Sequence, residues 1–163
     1  MDNKYNIVTN LSDIIPMVCF YPGTDFYWSP DEQRIYYGHS GLNNPESHWA
    51  LLHEAGHALL NHCSYQTDYE LVRMEIAAWN KAKELAHQLD IEIFEQHIQD
   101  CIDSYRDWLY KRSICPNCNN KALQQDTVNT YACFNCHTQW HVSQSRFCRA
   151  YRILKPAAAP VPL

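Results

Sequence analysis

The stretch His53-Glu54-Ala55-Gly56-His57 contains residue types that bind a metal ion and use it for chemistry. Histidines four residues apart lie on the same face of a helix, so both imidazole rings can bind one ion. Glu54, between them, is placed to accept a proton from a water molecule on that ion. The motif therefore predicts a catalytic zinc site with His53 and His57 as ligands and Glu54 as the base. The alternative is a pair of surface histidines on an ordinary helix.

A peptidase zinc site needs a third protein ligand and keeps one position for water. The metzincin motif would require a glycine and a histidine where Leu60 and Cys63 stand, which disfavours that class. Glu75 falls on the apolar stripe of the next predicted helix, and a carboxylate on a buried face is costly unless it is paired. Glu75 is therefore the favoured third ligand, and His62, at the end of the motif helix, is the competing candidate.

A predicted hairpin and a predicted helix position this motif. Two short aromatic runs, Phe26–Trp28 and Arg34–Tyr37, flank turn residues at 29–32, which is typical of a β-hairpin. Asn44 followed by proline predicts the start of the motif helix, which we expect to extend to about residue 61. The strand Arg34–Tyr37 is either packed on the motif helix or paired along its edge with an extended substrate.

Two further helices are predicted after the motif helix. Asp68 is expected to cap a helix over about 69–88, and Asp90 a helix over about 91–112. Apolar residues recur at spacings of three and four in both segments, which indicates packing faces. Residues 1–20 give no clear pattern.

Four cysteines in two CxxC pairs predict a second zinc site, with Cys115 and Cys118 in one pair and Cys133 and Cys136 in the other. Each CxxC turn places two thiolates around one tetrahedral ion, and the interval between the pairs suits a short hairpin. Four thiolates leave no position for water, so this zinc would be structural. A thioredoxin-like redox role is disfavoured because neither pair lies in a βαβ pattern.

The charge is distributed unevenly along the chain. Of its 163 residues, 1–110 contain 6 basic and 17 acidic residues, a net charge of −11, whereas 111–163 contain 7 and 1, a net charge of +6. We therefore expect two domains, a peptidase domain at 1–112 and a zinc ribbon at 113–154, followed by a disordered Pro/Ala tail at 155–163. The predicted fold class is α+β, a first domain with a short sheet and three main helices, followed by the ribbon.

Several segments around the motif resemble the ImmA/IrrE group of zinc peptidases. The similarity covers about residues 25–90 and is carried by the strand Arg34–Tyr37, the run His53–His62 and the run Glu75–Trp79. Proteins of that group share a strand, an HExxH helix and a following helix with a Glu-x-x-Ala ligand motif. This chain departs from the group in lacking a recognisable N-terminal helix-turn-helix and in carrying the cysteine module.

The resemblance implies a zincin-like fold with His53, His57 and Glu75 as zinc ligands and Glu54 as the catalytic base. It also implies an intracellular protease that cleaves a specific protein, such as a repressor or an antitoxin. The water on zinc would attack a peptide carbonyl while Glu54 accepts its proton and passes it to the leaving nitrogen. The sequence leaves open which residue stabilises the oxyanion. The candidates are His39, His62, Tyr65 and Tyr69.

The partners of the ribbon also stay open at this stage. Its cations and aromatic residues are compatible with nucleic-acid contact, but docking on the peptidase domain or protein recognition is the favoured alternative. His137 and His141 are predicted to be surface residues rather than ligands, because four thiolates suffice. The cations are Lys121, Arg146, Arg149 and Arg152, and the aromatic residues are Tyr131, Phe134, Trp140, Phe147 and Tyr151.

Two other function classes compete with an ImmA/IrrE-like peptidase. One is a non-catalytic zinc-binding module that contacts nucleic acid or a protein through the basic ribbon, which the presence of Glu54 disfavours. The other is a SprT-like DNA-associated protease, which would use a third histidine instead of Glu75. The chain has no apolar stretch long enough to span a membrane and no signal-peptide pattern, so we expect a cytoplasmic protein. The oligomeric state is not predicted.

Overall fold

The computed structural model describes residues 6–38, 41–125, 129–143 and 153–155, and shows a mixed α+β fold in that part of the chain. Its four helices exceed the three that the sequence predicted. In chain order, the elements are α1 (Asn6–Ile14), β1 (Cys19–Gly23), β2 (Tyr27–Ser29), β3 (Arg34–Gly38), α2 (Pro45–Leu59), α3 (Asp68–Gln88), α4 (Glu95–Ser113), β4 (Leu123–Gln124), β5 (Thr130–Ala132), β6 (Gln139–His141) and β7 (Ile153–Lys155).

The chain divides into two compact units. The first contains residues 1–64 and 73–100, and the second contains 65–72 and 101–163. Helices α3 and α4 therefore each contribute residues to both units. The predicted domain boundary after Arg112 stays a prediction.

A three-stranded sheet forms one side of the first unit. The predicted hairpin is confirmed, because β2 and β3 pair antiparallel with Trp28 opposite Ile35. Strand β1 pairs parallel with the other edge of β3, so the sheet order is β1-β3-β2. Of the two alternatives for Arg34–Tyr37, edge pairing with a substrate is therefore excluded, because both edges of β3 are occupied. β2 and β1 are the edge strands.

The core of the first unit lies under this sheet, where α2 packs against β2 and β3. Helix α1, which was not predicted, buries Ile7 and Leu11, and the buried Ile15 directly follows it. The four-residue spacing of these three residues was the available signal. The rest of this core comes mainly from β3, α2 and α3. Its members include Ile35, Trp49, Leu51, Leu52, Ala55, Ala58, Ala78, Trp79, Ala82 and Leu85.

The start of α2 is as predicted. Asn44 is extended, with φ −134° and ψ 160°, and its side-chain oxygen accepts a hydrogen bond from the Ser47 N–H at 2.8 Å. Pro45 occupies the first helical position, where its missing N–H has no cost. The helix ends at Leu59, two residues earlier than predicted, because Asn61 has a left-handed backbone with φ 51°.

The two predicted aspartate caps are wrong. At the start of α3, the Thr67 hydroxyl accepts from the Glu70 N–H at 3.1 Å, and Asp68 is already helical. Asp90 instead closes the end of α3, since its φ is 53° and its N–H donates to the His87 carbonyl at 3.4 Å. The Ile91 N–H donates to the Ala86 carbonyl at 2.8 Å, which completes a Schellman motif.

The second unit contains an antiparallel sheet in the order β4-β5-β6-β7. The hairpin expected between the two CxxC pairs is present, because Leu123 of β4 lies opposite Ala132 of β5. Lys155, placed in the tail by the prediction, ends β7, and residues 156–163 lie outside the described part of the chain. A small buried cluster fills this sheet. It consists of Cys115, Ala122, Tyr131, Cys133, Trp140 and Val142.

A buried ion pair stabilises this unit. Asp68 and Arg112 are only 1% and 2% exposed, and Arg112 Nε donates to Asp68 Oδ2 at 2.7 Å while Nη2 donates to Oδ1 at 3.3 Å. The Tyr131 hydroxyl donates to Asp68 at 2.6 Å, and the Trp140 indole donates to the Arg112 carbonyl at 3.1 Å. Burial first, and then the bond to Asp68, raise the pKa of Tyr131 and keep it a donor. Asp68 thus joins the first turn of α3 to the end of α4 and to β5.

Burial limits which aromatic residues of the ribbon could contact a nucleic acid. Tyr131 and Trp140 are fully buried, so neither offers a free face to a nucleic-acid base, whereas Phe134 is 73% exposed. Lys121 lies over the Tyr110 ring, 4.7 Å from its centroid. The remaining predicted contact residues lie outside the described residues. They are Arg146, Phe147, Arg149, Tyr151 and Arg152.

None of the described helices combines the length and the apolar composition that crossing a bilayer requires.

Candidate metal centres

Helices α2 and α3 bring two imidazoles and one carboxylate to a common point in the first unit. The Nε2 atom of His53 lies 3.1 Å from Oε2 of Glu75 and 3.1 Å from Nε2 of His57, and Nε2 of His57 lies 3.6 Å from Oε1 of Glu75. Ligand atoms around a tetrahedral zinc ion at 2.0–2.1 Å are about 3.3 Å apart. The three side chains therefore fit a single small metal ion.

Gly56 of the HEAGH motif allows α3 to approach closely enough for this convergence. A Cβ at position 56 would lie 2.5 Å from the carbonyl oxygen of Ala78, closer than side chains are found in proteins. Ala78 is one turn after Glu75, so the glycine in one motif and the alanine in the other form the helix contact that positions the third ligand. The sequence contained a signal for this contact, because glycine inside a helix is about 1 kcal/mol worse than alanine and needs a packing reason.

The site is buried and its carboxylate is ionised. Burial alone would raise the pKa of Glu75, but hydrogen bonds with His53 and His57 outweigh it and hold that pKa well below its usual value. The ring of Trp79 lies against the His53 ring, with centroids 4.3 Å apart. Nδ1 of His53 is buried and has no hydrogen-bond partner in the part of the chain that the structure describes.

Glu54 lies beside these ligands but is not one of them. Its Oε2 accepts a hydrogen bond of 2.8 Å from the backbone N–H of Trp28, in edge strand β2. Burial is the main cause that raises the pKa of Glu54, and the neighbouring His53 and His57 partly offset it. A carboxylate with a raised pKa is a more effective general base near neutral pH than an exposed one.

The structure places the other predicted residues differently. His62 is not part of the ligand group, since its Nδ1 lies 2.8 Å from Nδ1 of His57, on the opposite side of that ring from Nε2. Among the candidates for the oxyanion donor, Tyr65 and Tyr69 belong to the second compact unit, and His39 lies outside the described residues. No donor for an oxyanion is assigned.

The four cysteines of the CxxC pairs form a second group in the second unit. The Sγ atoms of Cys115 and Cys136 are 3.5 Å apart, as are those of Cys118 and Cys133, and all four sulfurs lie within 4.8 Å of one another. Sulfurs around a tetrahedral zinc ion at 2.3 Å are about 3.8 Å apart. The group can hold one ion with no remaining position for water.

The two CxxC turns have the same backbone hydrogen bonds. The N–H of Asn119 donates to the Cys115 carbonyl at 3.0 Å, and the N–H of His137 donates to the Cys133 carbonyl at 3.0 Å. Both donors have left-handed backbones, with φ 59° for Asn119 and 58° for His137. His137 is thus an exposed turn residue, as predicted. His141 is half-buried, and its Nδ1 lies 3.0 Å from the Thr130 hydroxyl.

The thiols of this group differ in acidity. Hydrogen bonding, chiefly with the Thr138 hydroxyl at 3.2 Å from its sulfur, lowers the pKa of Cys136 to about 5. Burial raises the pKa of Cys115 to about 11. Metal binding would therefore displace a proton from Cys115, since thiolates are the ligand form.

Comparisons of the chain with protein-family models, with curated proteins and with solved structures give no match. The similarity to the ImmA/IrrE group therefore rests on the motif residues alone.

Proposed function

We propose that this protein is a zinc-dependent peptidase of the zincin type. The observation that supports this most strongly is a buried group of three candidate ligands beside a partly buried carboxylate that is not one of them. Two histidines and a glutamate are a ligand set that catalytic zinc sites use, and three ligands leave a position open. A purely structural site has no use for the neighbouring Glu54.

Each residue of the site has a distinct part in the proposed reaction. His53, His57 and Glu75 would hold the ion, and zinc bound there would acidify a water molecule and polarise the carbonyl of the peptide bond. Glu54 accepts the proton from the attacking water and then gives it to the leaving nitrogen. The bond from the Trp28 N–H fixes one oxygen of Glu54, which leaves its other oxygen for the proton.

The four cysteines supply a structural zinc site in this proposal. Their donor set and closed coordination are those of zinc ribbons. All seven cysteines within the described residues are free of disulfides, which agrees with a reducing, cytoplasmic setting. By the ImmA/IrrE resemblance, the substrate is a specific protein such as a repressor or an antitoxin.

The competing classes are less well supported. A SprT-like site would need a third histidine, and the ligand group contains Glu75 instead. A nucleic-acid-binding ribbon loses Tyr131 and Trp140 as stacking residues, since both are buried.

The substitution Glu54→Gln tests the proposal. It keeps the side-chain size but removes the base, so we expect zinc content to be unchanged and peptide cleavage to fall by about 10²- to 10⁴-fold. Cleavage is measured with unfolded casein and a random mixture of fluorescence-quenched peptides. Glu46→Gln, an exposed change on the same helix, is the matched control and should cleave normally. Full activity of the Glu54→Gln protein would contradict the proposal.

A further inference from the structure

The end of α2 turns back on the second histidine of the motif. The Asn61 N–H donates to the Ala58 carbonyl at 3.1 Å, and the His62 N–H donates to the His57 carbonyl at 3.0 Å. With Asn61 left-handed at φ 51°, these two bonds form a Schellman motif. The backbone of His62 is thereby tied to that of His57, and the two rings meet with Nδ1 atoms 2.8 Å apart.

Trp28 connects this turn to the sheet. Its indole N–H donates to the His62 carbonyl at 2.9 Å, while its backbone N–H donates to the Glu54 carboxylate at 2.8 Å. Trp28 is held in register opposite Ile35, a fully buried residue of β3. One strand residue therefore contacts both the proposed base and the residue behind a proposed ligand.

We propose that His62 and Trp28 are positioning residues of the first metal site. The inference rests on the proposed function, in which Nε2 of His57 binds the ion. That nitrogen must then be unprotonated, so the ring hydrogen of His57 is on Nδ1 and is donated to Nδ1 of His62. His62 fixes the tautomer and the ring plane of His57, a role that a carboxylate, a carbonyl or a water fills in many metal sites. Trp28 in turn fixes His62.

These contacts would also be present if they merely stabilised the end of α2. The two roles predict different measurements, because a helix end contributes to unfolding free energy without a specific effect on metal affinity. Zinc affinity of the His53/His57/Glu75 group is therefore the decisive readout. It is measured on the full chain by competition with a chromogenic chelator weak enough to leave the four-cysteine site loaded.

Two substitutions at His62 separate these roles. His62→Phe keeps a ring but removes the acceptor, and we expect about 10- to 100-fold weaker zinc binding. His62→Asn keeps an acceptor near the position of Nδ1 and should restore most of the affinity. His48→Phe is the control. It removes a histidine ring of α2 whose Nε2 lies 3.1 Å from the Leu42 carbonyl, and it should leave zinc affinity unchanged.

A matched pair tests Trp28. Trp28→Phe removes one neutral hydrogen bond and should weaken zinc binding about fivefold. Trp49→Phe removes the same kind of bond, from an indole to the Glu92 carbonyl at 2.9 Å, and should lower only the unfolding midpoint. In the His62→Phe background, Trp28→Phe should cause no further loss of zinc affinity, because the imidazole ring that Trp28 positions is absent.

The outcomes distinguish this inference from the proposed function. Unchanged zinc affinity in the His62→Phe protein, equal effects of His62→Phe and His62→Asn, or equal effects of Trp28→Phe and Trp49→Phe would each overturn the positioning role. If the affinities change as expected while the Glu54→Gln protein keeps full activity, the positioning of His57 stands and the proposed peptidase mechanism fails.

Discussion

The two ligand groups of this protein are assembled in opposite ways. His53 and Glu75 are 22 residues apart on different helices, and their convergence depends on the contact between Gly56 and Ala78. The four cysteines come from two short turns with the same local hydrogen bonds. The first group has three candidate ligands with a carboxylate beside them, and the second has four cysteines that would leave no position open on an ion. In the proposed function, the first group is the catalytic site and the second is the structural site.

The two groups also differ in how much buried apolar core surrounds them. The helix-built group lies against a large apolar core, with Leu51, Leu52, Ala55 and Ala78 all fully buried. The cysteine group has a cluster of six buried residues, two of which are the cysteines Cys115 and Cys133. A cluster of that size does not stabilise a module without its metal ion. The first fold should therefore survive the loss of its ion, and the second should not.

Metal removal should show the largest effect. We expect two zinc ions per chain in the wild-type protein and about one after either Cys115→Ser or Glu75→Ala. In the Cys115→Ser protein, amide NMR signals of about residues 113–143 should move to unfolded positions, since structural zinc contributes about 10–16 kcal/mol to such modules. In the Glu75→Ala protein the same signals should stay in place. Ribbon signals that are unchanged by a strong chelator would contradict this asymmetry.

The buried ion pair of the second unit should give the next largest effect. Arg112→Leu leaves Asp68 charged and unpaired in the interior, which should lower the free energy of unfolding by about 3–5 kcal/mol. The matched change Arg106→Leu breaks a pair with Asp103 on the same helix, where the side chains are 54% and 62% exposed, and should change it by about 0.5 kcal/mol or less. Urea denaturation of the two variants measures the difference. Equal midpoints would show that this unit depends on its metal site alone.

Gly56→Ala should affect stability less than Arg112→Leu does, and it should have a specific effect on the first site. The added methyl group pushes against the Ala78 carbonyl, so we expect a loss of about 1–3 kcal/mol and weaker zinc binding as Glu75 moves away. Gly23→Ala is the control, because its Cβ would meet only the Tyr36 ring, at 3.3 Å, and a ring can shift. Thermal unfolding and zinc competition measure the two effects. Normal zinc affinity of the Gly56→Ala protein would show that the contact between Gly56 and Ala78 does not position Glu75.

Much of both sites could be predicted because their signals are local. The HExxH and CxxC spacings are set within one turn of chain, and Glu75 was identified because a carboxylate on an apolar stripe needs a partner. The contact between Gly56 and Ala78 that positions Glu75 is tertiary, and the only sequence signal for it was a glycine inside a helix. The proposed roles of Trp28 and His62 depend on strand register and on a helix-end turn, which no spacing in the sequence encodes.

The two predicted aspartate caps were wrong because contacts and backbone conformation outweighed local residue preference. Asp68 has the residue type of a helix cap, but it pairs with Arg112, which is 44 residues away in sequence. Asp90 precedes a helical pattern, yet its backbone ends the previous helix. In both cases local preference correctly indicated a helix end near the residue. The role of Asp68 was decided by its partner Arg112, and that of Asp90 by its backbone conformation.

The central claim is that His53, His57 and Glu75 hold a zinc ion that keeps one position free of protein atoms. An anomalous-difference map at the zinc absorption edge, from crystals of the zinc-loaded protein, tests it most directly. We expect an ion bonded to Nε2 of both histidines and to the carboxylate of Glu75, with a non-protein fourth ligand facing Glu54. A map with no ion between these side chains, or with a fourth ligand from the protein, would contradict it.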